Sequence, residues 1–573
     1  MIGSVISTDK AKCRDCYRCV RVCPVKAICI SDGQARVDPE RCILCGTCVR
    51  ECPQQAKHVR NDLGRVAELL ATSGLMVASV APSFPAAFAD YGSGFLPAAL
   101  RKLGFDMVTE TAVGAELVAI ATAKLIDKTK GSWVTSACPV VVNLIERYYP
   151  DMCAHITPIV SPMVAHASYL KSKYGPDTKV VFIGPCSAKK GEAADDGMDI
   201  VDAVLTFEEL HQALAEAGVR KDALQPVPFD DVRPKNAQLF PLEGGLAKTA
   251  SIASGLLRED FVGLSGEAHV REMIAHLSSD SPIRLFEALF CPGGCINGAC
   301  MGATKDVYAR RGRVLQYAKR RTFEAEEEFD PATAPAVELS RDIRRLPLTT
   351  PTFTEEQIRA VLAETGKLAV EDELNCGACG YPSCRENALA VLSGMAESQM
   401  CLPWMRHVAE RKTDQIIDNS PNGIVMVDSS LNIVDFNPAF GSMFSCTESI
   451  VGRSIAVLMD SGDFEKVAAE VVDRINGQAA AFPQYGLIAN QSIYRLEGEN
   501  VLIGIFVNIT KTKEDEDRIA KMQSETLANA ERVIEKQMRM AQEIASILGE
   551  TTSETRVLLR RLTDLARQAE EKS

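Results

Sequence analysis

The sequence predicts a multidomain α/β protein, and three observations predict it. The chain has 573 residues, 46% of them apolar, which is enough to bury several cores. Its cysteines gather in tight runs at separate places along the chain. Apolar strand-like stretches alternate with amphipathic helical ones from about residue 61 onward, the pattern of an α/β domain with a largely parallel sheet.

Composition narrows the partners. The 63 Lys and Arg against 76 Asp and Glu leave a formal net charge of −13 with no basic cluster, which argues against nucleic acid and against an anionic membrane surface. No apolar run approaches the roughly 18 residues of a membrane span. The start, Met1-Ile-Gly-Ser, lacks the tripartite pattern of a signal peptide, so a cytoplasmic location is expected. In a reducing compartment 20 closely spaced cysteines point to metal instead of disulfides. Cys29, Cys153, Cys300 and Cys446 fall outside every run and read as small buried residues.

The first expected domain covers residues 1–60. Residues 13–24 read Cys-x2-Cys-x2-Cys-x3-Cys-Pro, and residues 42–53 repeat it. Soft thiolates presented by short turns suit iron–sulfur clusters, and the doubled run with both prolines disfavours zinc. The segment resembles bacterial two-cluster ferredoxins, in which the fourth cysteine of each run crosses to the other cluster. That resemblance implies one cluster on Cys13, Cys16, Cys19 and Cys52, and another on Cys42, Cys45, Cys48 and Cys23.

The second expected domain covers residues 61–345. Strands are predicted over 75–80, 132–135 and 179–183, and helices over 95–103 and 140–149, stopped by Gly104 and Pro150. Cys138 and Cys186 each follow a strand by a few residues, and ligand sites in such sheets lie beyond the carboxyl ends of strands.

Three segments of this domain read Thr135-Ser-Ala-Cys-Pro139, Gly184-Pro-Cys-Ser-Ala-Lys-Lys-Gly-Glu192 and Cys291-Pro-Gly-Gly-Cys295. In this order they resemble the active-site signatures of iron-only (FeFe) hydrogenases. The resemblance implies an H-cluster, a 4Fe–4S cubane on Cys138, Cys186, Cys291 and Cys295 with Cys295 bridging to a two-iron unit that carries CO, CN and a bridging dithiolate. It implies that Lys189 donates to a cyanide of that unit, that Glu192 belongs to the motif, and that Gly293, Gly294 and Gly298 let the backbone approach the cluster. Two positions depart from the family. Ala137 stands where catalytic members carry a proton-relay cysteine, and Gly184 replaces the methionine that packs over the two-iron unit. Alanine carries no proton, and loss of a positioned acid–base group costs about 10²–10⁴ in rate. Slow turnover is therefore expected, with a substitute route through Glu110, Glu116 or the space freed at Gly184.

Residues 346–408 are expected to form a linker and a third metal module. Cys376-x2-Cys379-x4-Cys384-x16-Cys401-Pro resembles a small 4Fe–4S module of redox complexes, with a helix after Cys384 spacing the fourth ligand; zinc is the alternative. Its functional reading is an electron relay leading from the hydrogen site towards the C-terminal half.

Residues 409–512 resemble a PAS domain: a leading helix from Asp414, strands on either side of Asp428-Ser-Ser430, then Asn437-Pro438, Val451-Gly452, and strands over 491–496 and 501–508. The last histidine of the chain is His407, so a histidine-ligated haem inside this domain is not expected. Residues 513–573 read as amphipathic helices, with Ala530, Ile534, Met538, Ala541, Ile544 and Leu548 on one stripe, a break at Gly549 and a cap at Thr551. Such a tail either folds back or pairs in a homodimer stalk.

Together these readings imply a sensory FeFe hydrogenase that binds or slowly oxidises H2 and signals through its clusters to the PAS domain. Its partners would be H2 and protons, a ferredoxin-like or other one-electron carrier, and a separate signalling protein. The alternatives are a ferredoxin-linked catalytic hydrogenase and an iron–sulfur scaffold protein without the two-iron unit.

Overall fold

The computed structural model describes residues 4–72, 74–89, 92–195, 200–250, 260–278, 281–302, 306–320, 327–349, 351–496, 500–548 and 553–570. The chain divides into two units, Met1–Met405 and Arg406–Ser573. No helix among the described residues is long and apolar enough to cross a membrane.

The N-terminal segment has four short strands, β1 (Ile6–Thr8), β2 (Ile28–Ser31), β3 (Gln34–Val37) and β4 (Lys57–Val59). β2 and β3 form a hairpin about Asp32-Gly33, both at positive φ, the Asp-Gly turn whose twist matches its strands. β1 pairs antiparallel with β4, which folds the second cysteine run back onto the first.

Seven strands follow: β5 (Met76–Val80), β6 (Met107–Glu110), β7 (Trp133–Val134), β8 (Lys179–Gly184), β9 (Ala203–Thr206), β10 (Phe261–Ser265) and β11 (Leu285–Leu289). The sequence led to one largely parallel sheet, but the strands divide into two, with orders β6-β5-β8-β9 and β10-β11-β7. Every pairing in both is parallel. β5, β9 and β11 are buried at every residue, which is why they read as apolar runs without alternation. Helices Ala112–Lys128 and Pro162–Tyr174 join this core.

Polar ties fix the segments to one another. Lys190 is fully buried, with its ammonium 3.0 Å from Asp62 and 2.9 Å from Glu209. Glu209 also completes a capping box with Thr206 at the head of helix Phe207–Glu216. One buried cation thus joins the exit of the N-terminal segment to the Cys186 motif, and removing either partner would strand a buried charge.

The third cysteine module docks on the N-terminal segment. Ile30 N–H donates to Met395 O at 3.1 Å, Cys29 Sγ to Gly394 O at 3.0 Å, and Arg21 to Ala378 O at 3.2 Å. Gly380 leaves room for Val20, whose Cγ1 stands 2.9 Å from where a Cβ would be.

In the second unit β12 (Gly423–Asp428), β13 (Ile433–Phe436), β14 (Arg474–Phe482), β15 (Leu487–Arg495) and β16 (Val501–Asn508) form an antiparallel sheet of order β13-β12-β16-β15-β14. β14 was not among the predicted strands. Phe440, Phe444 and Phe506 fill the interior with ring centroids 4.6–5.6 Å apart. Asn437 caps helix Pro438–Met443 through Phe440 N–H and also accepts from Ile424 N–H. Helices Thr510–Leu548 and Ser553–Glu570 follow, with Ile519, Met522, Val533 and Ile544 exposed along the first. The expected break at Gly549 and cap at Thr551 lie outside the described residues.

Candidate metal centres

The sixteen motif cysteines line four cavities, four to each. Cys13, Cys16, Cys19 and Cys52 share one, and Cys23, Cys42, Cys45 and Cys48 another. The last cysteine of each run therefore stands in the other run's cavity. Cys376, Cys379, Cys384 and Cys401 line a third, and Cys138, Cys186, Cys291 and Cys295 the fourth.

The two N-terminal loops are built alike. Asp15, Tyr17 and Lys26 hold positive φ in the first run, and Leu44, Gly46 and Gln55 hold it at the matching positions of the second. Five of these six are not glycine, so the surrounding contacts impose a backbone form the residues rarely choose.

The thiols fit a polynuclear metal group. Burial, and then proximity to one another, pushes their ionisation up: Cys19 and Cys186 to about 11, Cys42 to about 12, and Cys48 and Cys291 well above the ordinary thiol value. For Cys291 the neighbours responsible are Cys186, Cys138 and Cys295. Such a set ionises together only around compensating positive charge, and metal supplies it. Among the described residues no three or more His, Cys, Asp or Glu side chains are arranged to hold a lone metal ion. Four thiols lining one cavity are the ligand set of an iron–sulfur cluster.

The Cys138 cavity differs in size. Its volume is about 90 Å³, against about 20, 20 and 10 Å³ for the other three. It lies at carboxyl ends of strands from both sheets: β5 leads to Ala81–Ser83, β6 to Thr111, β7 to Cys138, β8 to Cys186 and β11 to Cys291. Met163, Phe182, Phe240, Leu289 and Phe290 make the wall mostly apolar. Besides the cysteines its polar lining residues are Ser83, Thr111 and Lys189, and Ala137 presents only a methyl.

Lys189 is buried on helix Ala188–Ala193, its ammonium 2.7 Å from Glu192. Glu192 is held in turn by Ser161 Oγ at 3.0 Å and Arg341 at 3.3 Å. This fixes the ammonium on the cavity wall with further N–H donors to offer. Cys45 adds to the negative surroundings of Cys291, Ser187 Oγ donates to Leu44 O at 2.7 Å, and a Cβ on Gly46 would sit 2.3 Å from Ala299. The Cys42 set therefore adjoins the large cavity.

Three sequence expectations need correction. The space at Gly184 is not free: a Cβ there would stand 2.6 Å from the Phe182 ring, and Phe182, not Gly184, lines the cavity. Gly293 and Gly294 shape the loop behind the cysteines, since a Cβ on Gly294 would meet Pro241 O at 2.3 Å; Gly298 is the lining glycine. Glu110 and Glu116 are absent from the wall; Glu110 accepts from Tyr317 at 2.8 Å, and Glu116 from Lys235 N–H at 2.8 Å. Sequence reasoning missed Thr111, Ser83 and Phe182, although the first two follow strand ends, a rule applied only to cysteines. It also missed Lys367, whose buried ammonium lies 3.2 Å from Cys401 Sγ.

Residues 75–299 match the family described as iron only hydrogenase large subunit, C-terminal domain. Residues 35–58 match a 4Fe-4S binding domain, residues 372–403 an Fe-S cluster family, and residues 411–477 a PAS domain. The chain is 28% identical over 367 residues to iron hydrogenase 1 of Clostridium pasteurianum, covering 51% of this chain and 64% of that one. It is 26% identical over 351 residues to the NADP-reducing hydrogenase subunit HndD of Solidesulfovibrio fructosivorans, covering 50% and 55%. A cytosolic Fe-S cluster assembly factor of Yarrowia lipolytica is 26% identical over 175 residues, covering 27% and 36%. The chain thus spans less than two thirds of the length of each of these relatives. It is a hydrogenase-like protein with Fe–S segments and a PAS domain.

Proposed function

We propose that the chain is a sensory hydrogenase-like protein, which binds H2 or oxidises it slowly and reversibly and passes the resulting redox state to its PAS domain and a separate partner. The observation that carries this reading is Ala137, a methyl on the wall of the largest of the four cysteine-lined cavities, in the place where the resembling enzymes carry a proton-relay cysteine.

In this reading Cys138, Cys186, Cys291 and Cys295 would hold the cubane, and the volume beside them would be left for the two-iron unit. When bound, that group would supply the chemistry H2 ⇌ 2H⁺ + 2e⁻. The chain's own part is to hold it, keep water out and move charge. Lys189, steadied by Glu192, offers N–H donors to an anionic ligand, and the phenylalanine-rich wall lowers the local dielectric. The adjoining Cys42 set is the first electron stop, the Cys13 set the second, and the Cys376 set, docked on the N-terminal segment, a third. The PAS interior is filled by phenylalanines, which favours a conformational signal over a bound cofactor there. The helical tail then pairs in a homodimer that presents the signal, and any such shift is bounded by the difference in hydrogen affinity between two states.

A second reading rests on the similarity to a cytosolic Fe-S cluster assembly factor, namely a scaffold without the two-iron unit. Infrared spectra of the matured full chain separate the two. Carbonyl and cyanide bands that respond to hydrogen pressure are expected; a chain with iron and sulfide but no such bands is the scaffold. Bands with turnover as fast as catalytic hydrogenases would leave the sensory role without support.

A further inference from the structure

The cavity wall carries few groups able to move a proton. Lys189 leads to Glu192 and then to Arg341, a guanidinium that does not release its protons. Thr111 leads elsewhere. Its Oγ1 is 2.7 Å from Ser79 Oγ, a hydroxyl buried in β5, and Ser79 Oγ is 2.7 Å from His166 Nδ1. Serine in the middle of a buried strand and a fully buried histidine are both costly unless each is hydrogen-bonded, and here they satisfy one another. At the far side His166 Nε2 and Asp231 Oδ2 are each buried without a hydrogen-bond partner, and the charge of Asp231 reaches His166. Asp231 in turn binds the partly exposed Lys173 and Tyr174 OH, the latter at 3.0 Å.

We propose that Thr111, Ser79 and His166 form the proton relay of the large cavity, with one water joining His166 to Asp231 at the surface end. A proton taken from solvent at the partly exposed Lys173–Asp231 pair crosses the water to Nε2, while Nδ1 releases its own to Ser79 Oγ. Ser79 passes its hydroxyl proton to Thr111, and Thr111 releases one into the cavity. Each group gains and loses one proton, and no electron moves; a ring flip and hydroxyl rotation reset the chain, and the reverse sequence carries protons out. Burial holds His166 down to about 4, so the imidazole rests neutral with one nitrogen able to accept as the other donates. The relay rests on the hydrogen-site reading above, but it uses none of the residues that would ligate metal.

The test combines the unloaded and the matured full chain. In unloaded chain with ¹⁵N-labelled histidine, His166 is expected to give one neutral tautomer whose Nδ1 signal moves in Ser79→Ala and in Thr111→Val, but not in Thr111→Ser. In matured protein Thr111→Val and Ser79→Ala are expected to keep the infrared bands of wild type yet lose about tenfold or more of H2/D⁺ exchange. Thr111→Ser, which keeps the hydroxyl, retains it. Wild-type exchange in Ser79→Ala with bands intact overturns the relay alone. Wild type without carbonyl and cyanide bands overturns the hydrogen-site reading and the relay with it, while a His166 signal indifferent to Ser79→Ala removes the relay whatever the site holds.

Discussion

The ring of Phe182 occupies the place a side chain at Gly184 would take, with Cε1 2.6 Å from the position of a Cβ. The two residues are one unit of packing at the end of β8, just before Cys186. Gly184→Ala is expected to destabilise the chain by about 1–3 kcal/mol, because the new methyl would overlap the Phe182 ring and crowd Ala81. Phe182→Ala alone is expected to cost about 3–5 kcal/mol. The double variant Gly184→Ala, Phe182→Ala should cost less than the sum of the two single losses, because the added methyl enters the space the ring leaves. Denaturant unfolding of the four chains checks it; strict additivity would mean that the two positions do not share space.

Ala137→Cys places a thiol on the cavity wall where the methyl now stands. If proton delivery limits turnover, the matured variant exchanges hydrogen faster than wild type, by about 10² or more. An unchanged rate, with the same infrared bands, would locate the slow step outside proton transfer.

Lys367 donates to Cys401 Sγ from a buried position and is also held by Thr365. A cation bonded to a ligand sulfur stabilises the more negative, reduced state of a cluster. Lys367→Met is therefore expected to lower the potential of the Cys376–Cys401 centre and leave the others in place. Electron paramagnetic resonance during a redox titration reads it, and a uniform shift of all centres would point to general loosening instead.

Much of this arrangement was legible because cysteine spacing is a local property. A Cys-x2-Cys turn gathers its sulfurs whatever the rest of the chain does, and the runs ending in β5 and β8 read as buried strands from their apolar content. What was not legible depends on distant backbone. Thr111 and Phe182 line the cavity only because β6 and β8 flank β5. Lys367 reaches Cys401 across 34 positions through the fold of the third module. β14 was missed since Arg474-Ile-Asn-Gly-Gln-Ala-Ala-Ala-Phe482 holds one β-branched residue and a glycine; pairing with β15 makes it a strand. The glycine at 294 is explained by Pro241 and that at 293 by Val307, which no local pattern announces.

Asp202 offers a stability test with a defined sign. It accepts from Val180 N–H at 3.0 Å and pairs with Lys171 at 3.0 Å and Lys179 at 3.2 Å. These partners outweigh burial, the largest single influence, and hold its carboxyl below the ordinary 3.8. A depressed carboxyl stabilises the fold above its unfolded value and loses that contribution as pH falls through the folded one. Asp202→Asn should thus cost about 1–3 kcal/mol near pH 7, with the gap to wild type closing below about pH 4. Urea unfolding at both ends of this range checks it; a gap that stays constant would assign the loss to packing.

The crossing of Cys23 and Cys52 makes the last prediction. Cys52 lines the cavity of Cys13, Cys16 and Cys19, while Cys23 lines that of Cys42, Cys45 and Cys48. Cys52→Ala should therefore share its missing signal with Cys16→Ala, and Cys23→Ala with Cys45→Ala, in iron content and in electron paramagnetic resonance. Pairing along the sequence would give the opposite partners. The two losses also differ in consequence, because the loop of the Cys42 set touches the large cavity's own segments, through Leu44 to Ser187 and Gly46 to Ala299. Under hydrogen, Cys23→Ala should leave the outer centres oxidised although the large cavity is intact, whereas Cys52→Ala removes one outer centre and leaves the Cys42 centre reducible. Equal effects of the two substitutions on hydrogen-driven reduction would mean that electrons leave the large cavity by another way.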